Sequence, residues 1–251
     1  MGNGKYTMTD IHMHLVPGVD DGAMDPEMAL AMIFRAQEQG IDTIFATPHA
    51  DAFHRDPEEV RAQFRKLKIL AGRIVPEVKI LPGCEVYCEK DRMGAVLDAL
   101  DKGVYPTMNG TGYVLMEFSM WVRPENTLCC VQALAEAGWK PILAHAERYR
   151  YLRGDMALLD RFRAAGCKIQ INAYSLVEEA EDSIRHWARR IILEQKADFL
   201  GTDAHRTYHR PPSAETGLRW IYENCSRAYA DALAFGNARR LLGCGEGENQ
   251  C

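Results

Sequence analysis

Two histidines stand one residue apart in Asp10-Ile11-His12-Met13-His14, straight after a short β-prone start. On an extended strand alternate side chains share a face, so His12 and His14 point one way and Ile11 and Met13 the other. Two imidazoles aimed together suit a metal ion, for which neutral imidazole is the commonest protein ligand. A lone pair of this kind can equally be a hydrogen-bonded couple. The pattern gains weight because metal-type ligands recur at the ends of further apolar runs: Thr47-Pro48-His49, Gly83-Cys84-Glu85, Met116-Glu117-Phe118, Ala144-His145 and Asp203-Ala204-His205. Five histidines and three carboxylates exceed the needs of one tetrahedral zinc. They suit two or three divalent ions with mixed nitrogen and oxygen ligands, such as Mn, Fe or Zn.

These residues need strands to aim them. Asp25-Pro26 and Asp56-Pro57 each read as a helix cap followed by proline at the first helical position. Met28, Met32, Ile33 and Ala36 form an apolar stripe that Gly40 ends. Residues 41–47, 78–84, 113–118, 140–144, 168–172 and 198–202 read as strands, alternating with helices at 155–165, 182–196 and elsewhere. With the strand at 9–12 this makes seven. Strand–helix alternation implies right-handed βαβ units and a parallel sheet. The expected fold is α/β, a distorted (β/α)7 TIM-like barrel, with an open doubly wound sheet as the alternative. Barrel chemistry gathers at the C-terminal ends of the strands, where six of the seven deliver a ligand. The expected organisation is a flexible leader over residues 1–7, one domain over 8–243 and a tail over 244–251.

The chain has 251 residues, 47% of them apolar and 26% charged, which fits a globular protein with a real core. A net charge of −5 disfavours nucleic acid as a partner. No apolar run approaches the roughly 20 residues of a membrane span. Eight cysteines without a paired framework point to reduced thiols and a cytoplasmic setting. None begins the Cys-x5-Arg loop of thiolate phosphatases, and no phosphate-cradling Gly-x-x-x-x-Gly-Lys-[Ser/Thr] loop is present.

Taken together, Asp10-x-His-x-His14, Asp20-Asp21-Gly22, Thr47-Pro48-His49, Gly83-x-Glu85-x-Tyr87, Met116-Glu117-Phe118-Ser119, His145-x-Glu-Arg-Tyr149 and Asp203-x-His205 followed by Arg210-Pro-Pro resemble the PHP (polymerase and histidinol phosphatase) superfamily. The resemblance is narrower to the manganese-dependent bacterial protein-tyrosine phosphatases of capsule and exopolysaccharide loci, the CpsB/YwqE type. It implies the PHP fold and a centre of three divalent ions, Mn2+ or else Fe or Zn, held by His12, His14, His49, Glu85, Glu117, His145, Asp203 and His205. It implies a catalytic Asp21, as ligand or proton carrier, and catalytic, substrate-binding Arg148 and Arg210. It also implies phosphotyrosine in a protein as substrate, on a bacterial tyrosine kinase controlling capsule or exopolysaccharide synthesis. The alternative substrate is a small phosphomonoester such as histidinol phosphate.

The chemistry is consistent with that resemblance. Phosphoryl transfer needs an activated water, here a metal-activated hydroxide, and positive charge on the equatorial oxygens, which ions and forked guanidinium groups supply. Plainer roles are open to several residues. Arg148 could pair only with Glu147, and Arg210 could anchor a loop before Pro211-Pro212. His54 and His209 read as solvated loop side chains, His186 as a helix-surface residue, and most cysteines as small core fillers.

Overall fold

The computed structural model describes residues 6–243. Of the expected leader, residues 1–5 lie outside the described residues, whereas Tyr6 stacks on Tyr222 with ring centroids 4.6 Å apart. The expected tail, 244–251, also lies outside them.

Each strand feeds a helix or loop on the way to the next. The order is β1 (Met8–Met13), α1 (Pro26–Glu38), β2 (Ile41–Ala46), α2 (Ala50–Arg55), α3 (Pro57–Ile74), β3 (Lys79–Pro82), β4 (Glu85–Tyr87) and α4 (Met93–Asp101). There follow β5 (Tyr113–Glu117), α5 (Pro124–Glu136), β6 (Lys140–Leu143), α6 (Met156–Ala164), β7 (Lys168–Asn172), α7 (Asp182–Leu193), β8 (Phe199–Gly201), α8 (Glu215–Asn224) and α9 (Arg227–Asp231). The helix starts follow the capping chemistry: Asp25 accepts from Met28 N at 2.7 Å and Asp56 from Glu59 N at 3.0 Å.

All strand pairs are parallel, in two sets, β1-β2-β3 and β4-β5-β6-β7-β8. The expected third strand over 78–84 stops at Pro82, and a separate short strand, β4, starts beyond it at Glu85. Pro82 and Gly83 end the first, since proline brings no amide proton and glycine little strand propensity. β3 pairs with β2, and β4 with β5. A bridge between His49 and Glu85, and bonds from Gly83 N to Ala46 O (3.0 Å) and Glu85 N to Pro48 O (3.1 Å), carry the pairing across the break.

The barrel closes between β1 and the end of β8. Met13 bridges Ala204, Asp203 N donates to His12 O at 2.7 Å and His14 N to Ala204 O at 2.9 Å. Buried Asp10 fastens the same seam, accepting from His12 N (3.0 Å), Thr202 N (2.9 Å) and Thr202 Oγ1 (2.5 Å). One residue from most strands, Ile11, Phe45, Leu81, Leu115, Ile142 and Phe199, fills the barrel interior, and Ala238 and Leu241 of the C-terminal segment join that cluster. A second cluster lies between the strands and the surrounding helices.

Strict alternation along β1 does not hold. The β1–β2 register shifts between Asp10 and Met13, so Ile11 joins the interior cluster while Met13 packs in the outer one. A bulge of this kind re-aims side chains at a barrel rim. His12 and His14 still face one place.

Candidate metal centre

All eight expected ligands meet at the mouth formed by the strand ends. Their donor atoms fall into four overlapping groups, each within 4.8 Å: His14, Asp21, His49 and His205; His12, Glu85 and His145; His12, His14 and Asp203; His49, Glu85 and Glu117. Glu85 is the hub. Its Oε1 lies 3.2 Å from His12 Nε2 and 3.0 Å from His145 Nε2, and its Oε2 lies 3.2 Å from both His14 Nε2 and His49 Nδ1. Glu117 approaches His49 Nδ1 at 3.2 Å, and Asp203 Oδ1 lies 3.6 Å from the Nε2 of His12 and of His14. Asp21, 63% exposed, stands at the opening, 3.4 Å from His49 and from His205.

The outer nitrogens of the imidazoles are held so that the inner ones face the cage. His14 Nδ1 meets Asp20 Oδ2 at 2.8 Å, His12 Nδ1 meets Gln170 Oε1 at 3.3 Å and His205 Nδ1 meets the Asp203 carbonyl at 3.0 Å. Each acceptor takes a proton on Nδ1, so Nε2 is the nitrogen each ring turns toward the cage. The Nε2 atoms of His12 and His14 face each other at 3.3 Å. Four imidazoles around one carboxylate, with more carboxylates behind, form a donor set that fits several divalent ions.

The electrostatics express the same demand for cations. Burial disfavours charge on His12, yet Glu85 and Asp203 lift its pKa. Burial acts likewise on His14, but its hydrogen bonds to Asp20 and Glu85 raise it well above the usual imidazole range. Glu85 is held well below the carboxylate range, its burial outweighed by His12 and the other imidazoles. His205 is pushed down to about 3 by burial and by His14 and Arg210, so its ring stays neutral.

Arg148 and Arg210 converge on Asp203, not on Glu147. Arg148 Nη1 donates to Asp203 Oδ2 at 2.9 Å, Arg210 Nη2 donates to the same oxygen, and Arg210 Nη1 reaches His205 Nε2 at 3.1 Å. Glu147 instead accepts from Ser175 Oγ (2.7 Å) and Asn172 N (3.2 Å). Asp203 therefore faces the cage with one oxygen and the arginines with the other. His145, Asp203 and Arg210 all have positive φ (35°, 54° and 52°), a backbone form costly for these residues and concentrated here at one site.

Other candidates stand apart. His54 lines the mouth cavity outside the cage, His209 is exposed, and His186 bonds the Asp182 carbonyl on its own helix. Arg206 ties the first loop through Asp21 O at 3.3 Å. Buried Cys84 has its thiol pushed well above the usual range by burial and by Glu85, as befits an inert filler.

Three supporting residues were not identified from the strand pattern. Gln170 and Asn172 lie on β7, the one strand without an expected ligand. Gln170 Oε1 also accepts His145 N at 2.8 Å, its Nε2 donates to Asn172 Oδ1 at 2.8 Å, and Asn172 Nδ2 donates to Asp203 Oδ2 at 3.3 Å. The signal was Gln-x-Asn on alternate strand positions, polar where a buried face was due. The third is Asp20, which orients His14 and accepts His49 N at 3.1 Å and Gly22 N at 3.0 Å. Glycine is required at 22, where a Cβ would lie 2.2 Å from the His14 carbonyl. His14 holds the Asp20 carboxyl at about 2 despite burial, so the pair stays ionic through neutral pH. Asp20→Asn is expected to weaken metal retention about 10- to 100-fold, read by competition with a chelator. Unchanged retention would remove Asp20 from this role.

A distorted (β/α)7 barrel with a cage of imidazoles and carboxylates at its C-terminal mouth defines the metal-centred PHP class of fold. Within it, the chain belongs to the CpsB/CapC family of capsular polysaccharide synthesis, whose family model matches residues 8–243. It is 27% identical over 242 residues to the tyrosine-protein phosphatase CpsB of Streptococcus pneumoniae, covering 94% of this chain and 98% of that one. It is 32% identical over 206 residues to the tyrosine-protein phosphatase YwqE of Bacillus subtilis, covering 81% and 79%. In three dimensions it matches a solved chain from crystal structures of B. subtilis YwqE and S. pneumoniae CpsB, described as unique metal-dependent tyrosine phosphatases. That match has a TM-score of 0.83 at 29% identity and covers 94% of each chain.

Proposed function

We infer that this protein is a metal-dependent protein-tyrosine phosphatase that acts in capsule or exopolysaccharide synthesis. The observation that carries the reading is the shared carboxylate: Asp203 belongs at once to the ligand cage and to the paired arginines. A phosphate held by those arginines lies against the cage. The family membership and the phosphatase names of its relatives support the same activity.

His12, His14, His49, Glu85, Glu117, His145, Asp203 and His205 would hold up to three divalent ions, with Mn2+ our assignment and Fe or Zn compatible with the same ligands. When bound, such ions acidify water and draw charge from phosphoryl oxygens. Arg148 and Arg210 grip the phosphate oxygens and orient the ester for in-line displacement. Asp21, at the opening between His49 and His205, is placed to relay a proton to solvent. A tyrosine phenolate, with a pKa near ~10, leaves with little acid assistance. We take a protein, a bacterial tyrosine kinase in the cytoplasm, as the natural partner. Among the described residues no helix is long and apolar enough to cross a membrane.

The test measures bound metal, then compares chelated and Mn2+-restored protein on phosphotyrosine peptide, phosphoserine peptide and histidinol phosphate. Metal-dependent hydrolysis favouring phosphotyrosine is expected. Equal hydrolysis of all three would refute tyrosine specificity, and preference for histidinol phosphate would move the substrate to small molecules.

A further inference from the structure

We propose that the cavity beyond Arg148 and Arg210 is the aryl subsite, with Tyr174 as the wall on which the substrate's tyrosine ring lies; this rests on the phosphatase reading above. Two cavities adjoin the cage. The larger opens over Asp21, His49 and Glu117 and reaches Tyr87. The second, about 460 Å³, is lined by both arginines and Asp203 and continues between Tyr174, Ala180, Ile184 and Pro211. Neither arginine lines the larger one. A phosphoryl dianion gripped by both guanidinium groups therefore sits at the inner end of the second cavity.

In-line displacement then sets the direction of the ring. Water approaches phosphorus from the cage side, and the departing ester oxygen lies opposite. The water oxygen bonds to phosphorus as the bond to the phenolic oxygen breaks. The phenolate leaves with that electron pair and takes up a proton equivalent to the one the water gives up. The leaving ring thus points away from the cage, between Tyr174 and Pro211.

The wall is built to stay in place. Tyr174 is 46% exposed, yet its hydroxyl donates to the Glu179 carbonyl at 3.4 Å. Its short turn, Ala173–Leu176, is pinned by Ser175 Oγ to Glu147 (2.7 Å) and by Arg189 Nε and Nη2 to the Leu176 carbonyl (2.9 and 2.7 Å). Beneath it α8 packs so closely that a Cβ on Gly217 would lie 2.3 Å from the Ala173 carbonyl. An exposed aromatic on a rigid support beside two cations complements an aryl phosphate: charge at the inner end, ring surface along the side.

The test uses phenylphosphonate and methylphosphonate, both stable to hydrolysis, titrated calorimetrically into the Mn2+-loaded full chain. Wild type is expected to bind the phenyl compound at least about tenfold more tightly. Tyr174→Ala should bring the ratio within about threefold while methylphosphonate binding, the check on folding, stays intact. Tyr174→Phe should keep the preference, and so should Tyr87→Ala in the other cavity. No preference in wild type, a preference surviving Tyr174→Ala, or its loss in Tyr87→Ala would overturn the assignment. Turnover of a phosphotyrosine peptide by wild type is scored separately: its absence beside an intact aryl preference refutes the phosphatase reading and spares the subsite.

Discussion

Arg210→Ala is expected to lower kcat/KM for a phosphotyrosine peptide by about 10²- to 10³-fold, the loss of roughly 2.7–4 kcal/mol of transition-state stabilisation. The guanidinium is anchored by Asp203 and His205, so it is preorganised where charge develops on the phosphoryl oxygens. Arg148→Ala should act in the same direction, since its Nη1 meets the same carboxylate oxygen. The double variant should lose less than the product of the single effects, because both arginines serve one dianion and one carboxylate. Lysine at either position should rescue only partly, lacking the planar fork. Steady-state kinetics at saturating Mn2+ decide the matter. Full activity in Arg210→Ala would remove that residue from the phosphate site.

Glu85→Gln is expected to have the largest effect, reducing hydrolysis by more than about 10³-fold and emptying at least one metal position. Among the carboxylates, Glu85 alone approaches four imidazoles within 3.2 Å, those of His12, His14, His49 and His145. Gln keeps the shape and removes the negative charge that draws cations into the cage and lifts the pKa of His12 and His14. The same variant separates metal binding from chemistry through stability. Mn2+ at 100 times its Kd stabilises the native wild type by about 2.7 kcal/mol, read as a raised Tm. Glu85→Gln should show a much smaller rise. A full complement of metal and an unchanged Tm response in Glu85→Gln would contradict the hub role. Glu117→Gln should be milder, for Glu117 comes within 3.2 Å of His49 but only 3.8 Å of His145.

The local features legible in the chain were those with local causes. Asp25-Pro26 and Asp56-Pro57 start helices because a short carboxylate reaches back to nearby amides, whatever the tertiary fold. The strand at 168–172 matches its expected bounds because alternation and β-branching are themselves local. The break at Pro82-Gly83 was visible as an interruption, but not its consequence: a separate strand beyond it, at Glu85–Tyr87, serves a different neighbour. The bulge at Asp10–Met13 was invisible, since register is set by a partner strand about thirty residues away.

The site divides in the same way. Residue types and their places at strand ends singled out the eight candidate ligands, because a parallel barrel brings every strand end to one rim. Only the tertiary structure decided how those ligands share the space: that Glu85 is central, that Asp20 and Gln170 set the tautomers, and that Arg148 turns to Asp203 instead of to neighbouring Glu147. Those choices depend on distances between side chains as many as 158 residues apart in the chain, and spacing along a sequence does not encode a distance across a barrel mouth.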